Sequence, residues 1–176
     1  MEYSFVDATN LMRRTPSALR ALLHELPATW LDSTEGPGTW SPRDVASHMA
    51  DLEQDRWLPR IRTILDHGTE RALDPVDPER FRVRYAGASL GRVLDEFESA
   101  RTTNLEELGR ILAGGAALSA DGLHPVCGSV RLSHLLSTWL VHDLTHVSQI
   151  ARVLAAQYRD ATGPFSAFLS ILGTER

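Results

Sequence analysis

Apolar residues recur at helical spacing along most of the chain, and the stripes they draw mark out four helices. The first stripe is Leu19, Leu22, Leu23 and Leu26. Thr15 is its N-cap, Pro16 takes the first helical position and Pro27 stops it. A turn over residues 7–12 precedes it. The second helix opens at Ser41-Pro42, with Asp44 in the first turn, where the helix dipole favours an acid. Val45, His48, Met49 and Leu52 share its apolar face, with Arg56 at the margin. Pro59 predicts a kink or a division, after which residues 61–65 point elsewhere. The third stripe, Leu90, Val93, Leu94, Phe97, Leu105, Leu108, Ile111 and Leu112, predicts a helix over residues 89–113 that Gly114-Gly115 ends. The fourth helix covers residues 132–158, and a short helix follows Pro164.

The connections carry their own signals. The run "STEGPGTW" is a loop by its Gly and Pro, and "DGLHPVCGSV" reads as a second one. Residues 68–88 are rich in Gly, Pro and charge; a crossover of about 20 residues is unusual in a compact domain unless it covers something. No segment alternates convincingly as a strand would. The pattern therefore predicts an all-α chain, a four-helix bundle with a long crossover between helices 2 and 3, in a single domain spanning residues 1–176. Such bundles house metal sites among side chains on facing helices.

Composition narrows the chemistry. A net charge of -5 argues against nucleic-acid binding, which needs a basic face. All 18 basic residues are arginine, so neither a Schiff-base lysine nor a P-loop lysine is available. The single cysteine, Cys127, cannot form a disulfide within the chain; together with an N-terminus unlike a signal peptide, this predicts a reducing, cytoplasmic setting. No apolar stretch approaches the ~18 residues of a membrane span. GxSxG, P-loop, GxGxxG and zinc-ribbon patterns are absent, and no ExxH pair suggests a di-iron bundle.

The candidate chemistry lies in "HDLTH", within the fourth helix. Residues four apart on a helix differ by roughly 40° around the axis and ~6 Å along it, so His142 and His146 project from one face and can grip one ion. Gln149 continues the stripe, among the core-facing Leu135, Trp139, Val147 and Ile150. Two readings are open: a metal site, or two half-buried histidines satisfied by hydrogen bonds. His48, on the apolar face of the second helix, offers a third imidazole. Three neutral imidazoles with open positions left over form the pattern of a catalytic metal, suited to Zn, Ni or Fe.

Taken together, "GPGTWSPRDVASHMADLE", "HPVCGSVRLSHLLSTWLVHDLTHVSQIARVLAAQY" and "GPFSAFLSIL" resemble the DinB-like superfamily, the DinB/YfiT-like metal-dependent hydrolases. The likeness spans most of the chain and rests on W-S-P-x-x-V-x-x-H with H-D-x-x-H-x-x-Q-I. It implies an up-down-down-up bundle, metal ligation by His48, His142 and His146, and a homodimer. It also implies one of two chemistries, hydrolysis or S-transfer with a low-molecular-weight thiol as cosubstrate. The alternative is a non-enzymatic, dimeric, stress-associated metal-binding module. The expected partner is a small-molecule substrate, with neither nucleic acid nor membrane.

Other residues are weaker candidates. Asp51 could accept a proton from an activated water or orient a ligand histidine, or it could belong to a solvated acidic face paired with arginines. Gln149 could orient a ligand or meet the substrate. Arg82, Arg84 and Arg92 could receive a carboxylate of a thiol cosubstrate. His134 lies ~12 Å along the axis from His142, too far to share its ion. Asp143 points toward a neighbouring helix or an arginine. Cys127 reads as buried or incidental, and Trp40 and Trp139 as core, with Trp139 a possible wall of the metal pocket.

Overall fold

The structure, a computed structural model, describes residues 4–173; the first and last three residues of the expected domain lie outside the described residues. Helices α1 (Phe5–Met12) and α2 (Thr15–Leu23) are followed by the single turn α3 (Ala28–Leu31). Next come α4 (Pro42–Asp55), α5 (Trp57–His67) and the short α6 (Phe81–Arg84). The long α7 (Leu90–Ala113), the strands β1 (Asp121–His124) and β2 (Gly128–Arg131), and α8 (Leu132–Ala156) complete the order. Two 3₁₀ segments, Asp160–Phe168 and Ser170–Leu172, follow it, the first broken at Gly163.

The pairing of side chains gives each long helix its direction. Arg20 of α2 bonds Asp95 at 2.7 Å, while Arg101 reaches back to the carbonyl of Met12, at the end of α1, at 2.8 Å, so the stretch from the end of α1 through α2 runs antiparallel to α7. Asn104 binds the Glu53 carbonyl at 2.6 Å, while Val45 and Met49 share a cluster with Val93 and Leu94, so α4 and α7 run parallel. His48 faces His142 and Glu53 faces Trp139, so α8 runs opposite to α4. The result is the four-helix bundle that the apolar stripes predict, in the up-down-down-up order that the family resemblance implies.

Local signals place most of the elements, with several shifts. Thr15 is the first helical residue rather than the N-cap, because Arg14 holds that place without a side-chain cap bond, and α2 ends at Leu23, short of Leu26 and Pro27. The turn expected over residues 7–12 is a helix, α1. Ser41 forms a full capping box with Asp44 and fixes the start of α4, which sets His48 less than two turns into the helix. The helical axis breaks at Arg56, before Pro59: a proline crowds the carbonyl four residues back, here Asp55, the last residue of α4. The crossover does cover something. Leu73, Phe81 and Tyr85 from it are buried, and Phe81 and Tyr85 join the core beside Trp40 and Leu94.

The second loop is a correction. "DGLHPVCGSV" contains an antiparallel hairpin with Asp121 opposite Arg131 and His124 opposite Gly128, and Ala72 bridges to Leu123. Its strands are four residues long and include Gly, so the period-two signal is too short to read. Gly122 is required there: a Cβ at that position would stand 2.6 Å from Ile64 Cγ1 of α5.

Two apolar clusters fill the bundle. One holds Leu19, Val45, Met49, Leu94, Phe97 and Ile150. The other holds Met12, Leu52, Ile61, Leu105, Leu136 and Trp139. Each fully buried Leu, Ile or Phe contributes roughly 1.5–3 kcal/mol of hydrophobic stabilisation. Polar residues meet where these clusters adjoin: His48 and Glu53 of α4, Arg101 and Asn104 of α7, and His142, Asp143 and His146 of α8. Among the described residues, no helix is long and apolar enough to cross a membrane.

Candidate metal centre

The polar layer contains two groups with different fates. One is the imidazole cluster. His48 Nε2 lies 3.4 Å from His142 Nε2, which in turn lies 3.1 Å from His146 Nε2. One ring nitrogen from each of the three falls within 4.8 Å of the others. Nitrogens about 2.0–2.1 Å from a tetrahedral zinc stand ~3.3 Å apart, so this spacing fits a shared ion. His48 and His146 are buried and His142 half-buried.

The ring orientations are fixed from behind. His146 Nδ1–H donates to Gln149 Oε1 at 2.9 Å, one helical turn on, which leaves the Nε2 lone pair facing the cluster. Trp40 packs 4.5 Å from the His48 ring and stacks 6.0 Å from His146, and its Nε1–H donates to Glu79 at 2.8 Å. Trp57 stands edge-on, 5.5 Å from His142.

Electrostatics keep the imidazoles neutral. Burial pushes His48 down to about 4, helped by the neighbouring His146 and opposed by the Pro78 carbonyl and Glu79. Burial pushes His142 down to about 3, with His146, His48 and Arg101 acting the same way. His146 is lowered by burial, against the bond to Gln149 and the charge of Asp143. Burial disfavours the protonated form, which leaves three neutral imidazoles whose lone pairs are free to ligate a cation.

A pH dependence follows. In the unfolded chain His48 and His142 protonate near pH 6.5, whereas in the folded, metal-free protein they resist protonation down to about pH 4 and about pH 3, and His146 is lowered in the same direction. The contribution of His48 and His142 to stability is intact above pH 6.5 and is lost as pH falls through that window, by up to ~1.4 kcal/mol per pH unit for each of the two. Glu53, raised by burial, acts in the opposite sense. Urea unfolding of chelator-treated protein at pH 7.5 and 4.5, compared with a His142→Asn/His146→Asn variant, separates the two. A smaller loss in the variant is the expected outcome, and an equal loss contradicts it.

The second polar group is a buried ionic network. Arg101 Nη1 donates to Asp143 at 2.6 Å, and Nη2 donates to Asp143 at 3.0 Å and to Glu53 at 2.9 Å. Glu53 also accepts from Asn104 at 3.1 Å and from Trp139 Nε1 at 3.2 Å. The guanidinium lies 4.9 Å from the centre of the Phe97 ring. Asp143 thus binds the arginine expected of it. The network ties α4, α7 and α8 together directly beside His142.

The other candidates fall as follows. Asp51 is 1 % exposed and pairs with Arg80 at 3.0 Å and Arg84 at 2.9 Å. It is matched with arginines, but buried rather than on a solvated face. Arg82 pairs with Glu79 and Asp44, Arg84 with Asp51 and Asp55, and Arg92 with Glu96, so acids already occupy these arginines. Trp139 is fully buried and stacks 5.4 Å from Trp57. Trp57 is the residue that reaches the pocket.

That pocket is a cavity of about 320 Å³ reaching the histidines. His48 and His142 line it, with Leu52, Trp57, Leu73 and Leu135 as apolar walls. His124, His134 and Cys127 also line it, and Cys127 is exposed rather than buried. The sequence reading gives His134 and Cys127 no part in the site; the hairpin, read as a loop, is what brings His124 and Cys127 to the cavity.

Comparison with known proteins agrees with this fold. Residues 11–150 match the model of the DinB superfamily. A solved structure of YfiT from Bacillus subtilis, described as a probable metal-dependent hydrolase with an unusual four-helix bundle topology, superposes with a TM-score of 0.73 at 17% identity. The match covers 89% of this chain and 94% of that one, and establishes the shared fold. No curated protein matches the sequence.

Proposed function

The chain belongs to the DinB superfamily, and we propose that it is a metal-dependent enzyme with one divalent ion, Zn, Ni or Fe, held by His48, His142 and His146. The observation that carries this reading is that two of the three imidazoles line a cavity large enough for a small molecule. A closed structural site has no use for such access, which favours an enzyme over a purely metal-binding module. When bound, the ion supplies Lewis-acid activation of a water, for hydrolysis, or of a low-molecular-weight thiol, for S-transfer.

The chain's own residues do the rest. Gln149 is the positioning residue for His146, and Trp40 holds His48 and His146 in register by packing against both. Leu52, Trp57, Leu73 and Leu135 exclude water around the substrate body. Asp51 is held by its arginines and does not line the cavity, so this reading takes no proton-transfer step from it. A homodimer and a cytoplasmic setting belong to the same reading, supported by the family likeness and by the single cysteine.

The experiment is turnover by chelator-treated protein reloaded separately with Zn, Ni and Fe(II), on aryl esters alone and on electrophiles offered with a small thiol. Metal-restored turnover that His142→Ala abolishes is expected. A rate equal to metal-free protein with every ion and both substrate classes would overturn the enzyme reading.

A further inference from the structure

The same cavity has a second chemical feature, at Arg56 and Arg60. They lie one helical turn apart where α4 gives way to α5, and both line the cavity. Each spends one Nη on a backbone carbonyl of the crossover: Arg56 on Pro75 at 2.7 Å and Arg60 on Asp74 at 2.6 Å. The Nε of each is buried and has no hydrogen-bond partner. Among the described residues neither arginine forms an ion pair, whereas Arg80, Arg82, Arg84 and Arg101 all do. The nearby Asp74 carboxylate lies 4.0 Å from Arg71 instead.

Two partly buried like charges with no carboxylate in ion-pair contact are a costly arrangement. Arg60 is held below its ordinary value by burial and by the charge of Arg56, which outweigh the more distant charge of Asp74. The surplus is two guanidinium forks at one part of a wall otherwise built from Leu52, Trp57, Leu73 and Val76. A planar fork matches an anionic oxygen group in geometry as well as charge.

We propose that Arg56 and Arg60 form an oxyanion-binding subsite of this cavity, and that its ligand is a small molecule with an apolar body and an anionic oxygen group, a carboxylate or a phosphate. The body lies against Leu52, Trp57 and Leu73. The cavity's volume of about 320 Å³ limits the ligand to small-molecule size. This rests on the reading of the cavity as the substrate site, but not on the metal.

The test uses chelator-treated full-length protein and isothermal titration at pH 7.5. The probes are phenylacetate, 3-phenylpropionate and 4-phenylbutyrate, the amide of each, and phenylalkyl phosphates of matching length. At one chain length or more, an anion should bind at least about tenfold more tightly than its amide, the scale of a charge-assisted hydrogen bond. Arg56→Gln/Arg60→Gln should erase that preference, and Arg56→Lys/Arg60→Lys should keep part of it. The better of carboxylate and phosphate names the group. Acid and amide binding equally at every length would overturn the proposal, and this comparison needs no variant to fold. A preference that survives in a folded Arg56→Gln/Arg60→Gln protein would also overturn it. If wild-type protein takes up no metal yet discriminates acid from amide, the metal reading fails and this one stands; metal uptake without discrimination is the reverse.

Discussion

Asp143→Ala is expected to destabilise the protein by about 3–5 kcal/mol, the usual cost of removing one partner from a buried charge pair. Arg101 is 2 % exposed and cannot shed its proton, so losing Asp143 leaves a guanidinium with only Glu53 and the Met12 carbonyl inside the bundle. At roughly 2–4 °C per kcal/mol for a chain of this size, the loss is a fall in Tm of about 6–20 °C. The network is no evidence of extra stability in itself. Replacing Arg101, Glu53 and Asp143 together by apolar residues of similar volume should recover most of the loss. Urea unfolding of the single and triple variants measures both. A single-variant cost below about 1 kcal/mol would mean that water or another group reaches Arg101.

The second large effect concerns the imidazoles. An ion that binds only the folded state stabilises it by about 4 kcal/mol at 1,000 times its Kd. Saturating zinc should therefore raise the Tm of chelator-treated protein by about 8–16 °C. His48→Ala should abolish most of that rise, because His48 is the ligand that links α4 to α8. The two histidines of α8 alone sit on one element and couple less strongly to the bundle. A zinc-induced rise equal to wild type in His48→Ala would place the ion elsewhere.

Much of this fold is readable because its signals are local. Ser41-Pro42 announces a helix start by cap chemistry, Pro16 marks another by its place in the first turn, and the apolar stripes give the faces that pack. His142 and His146 are paired by helical geometry alone. Their union with His48 is a tertiary fact, foreshadowed by its place between Val45 and Met49 and by the family likeness. What was not legible depended on contacts across the chain. The hairpin lacks enough residues to show alternation. Arg101 and Asn104 occupy the apolar stripe of α7 between Phe97 and Leu108, a visible anomaly, but their partners Glu53 and Asp143 come from two other helices. The arginines first read as anion receptors, Arg82, Arg84 and Arg92, are matched by acids near them in space or sequence. The unmatched pair, Arg56 and Arg60, is distinguished only once the crossover is folded over it.

The most direct test of the account is the metal content of protein purified without a polyhistidine tag, by elemental analysis, beside His142→Ala/His146→Ala. The account predicts about one equivalent of Zn, Ni or Fe in the wild type and none in the variant. Wild-type protein that stays metal-free after incubation with each ion, or a variant that binds as much, would contradict it. His48, His142 and His146 would then be a polar layer of the bundle that satisfies its own hydrogen bonds.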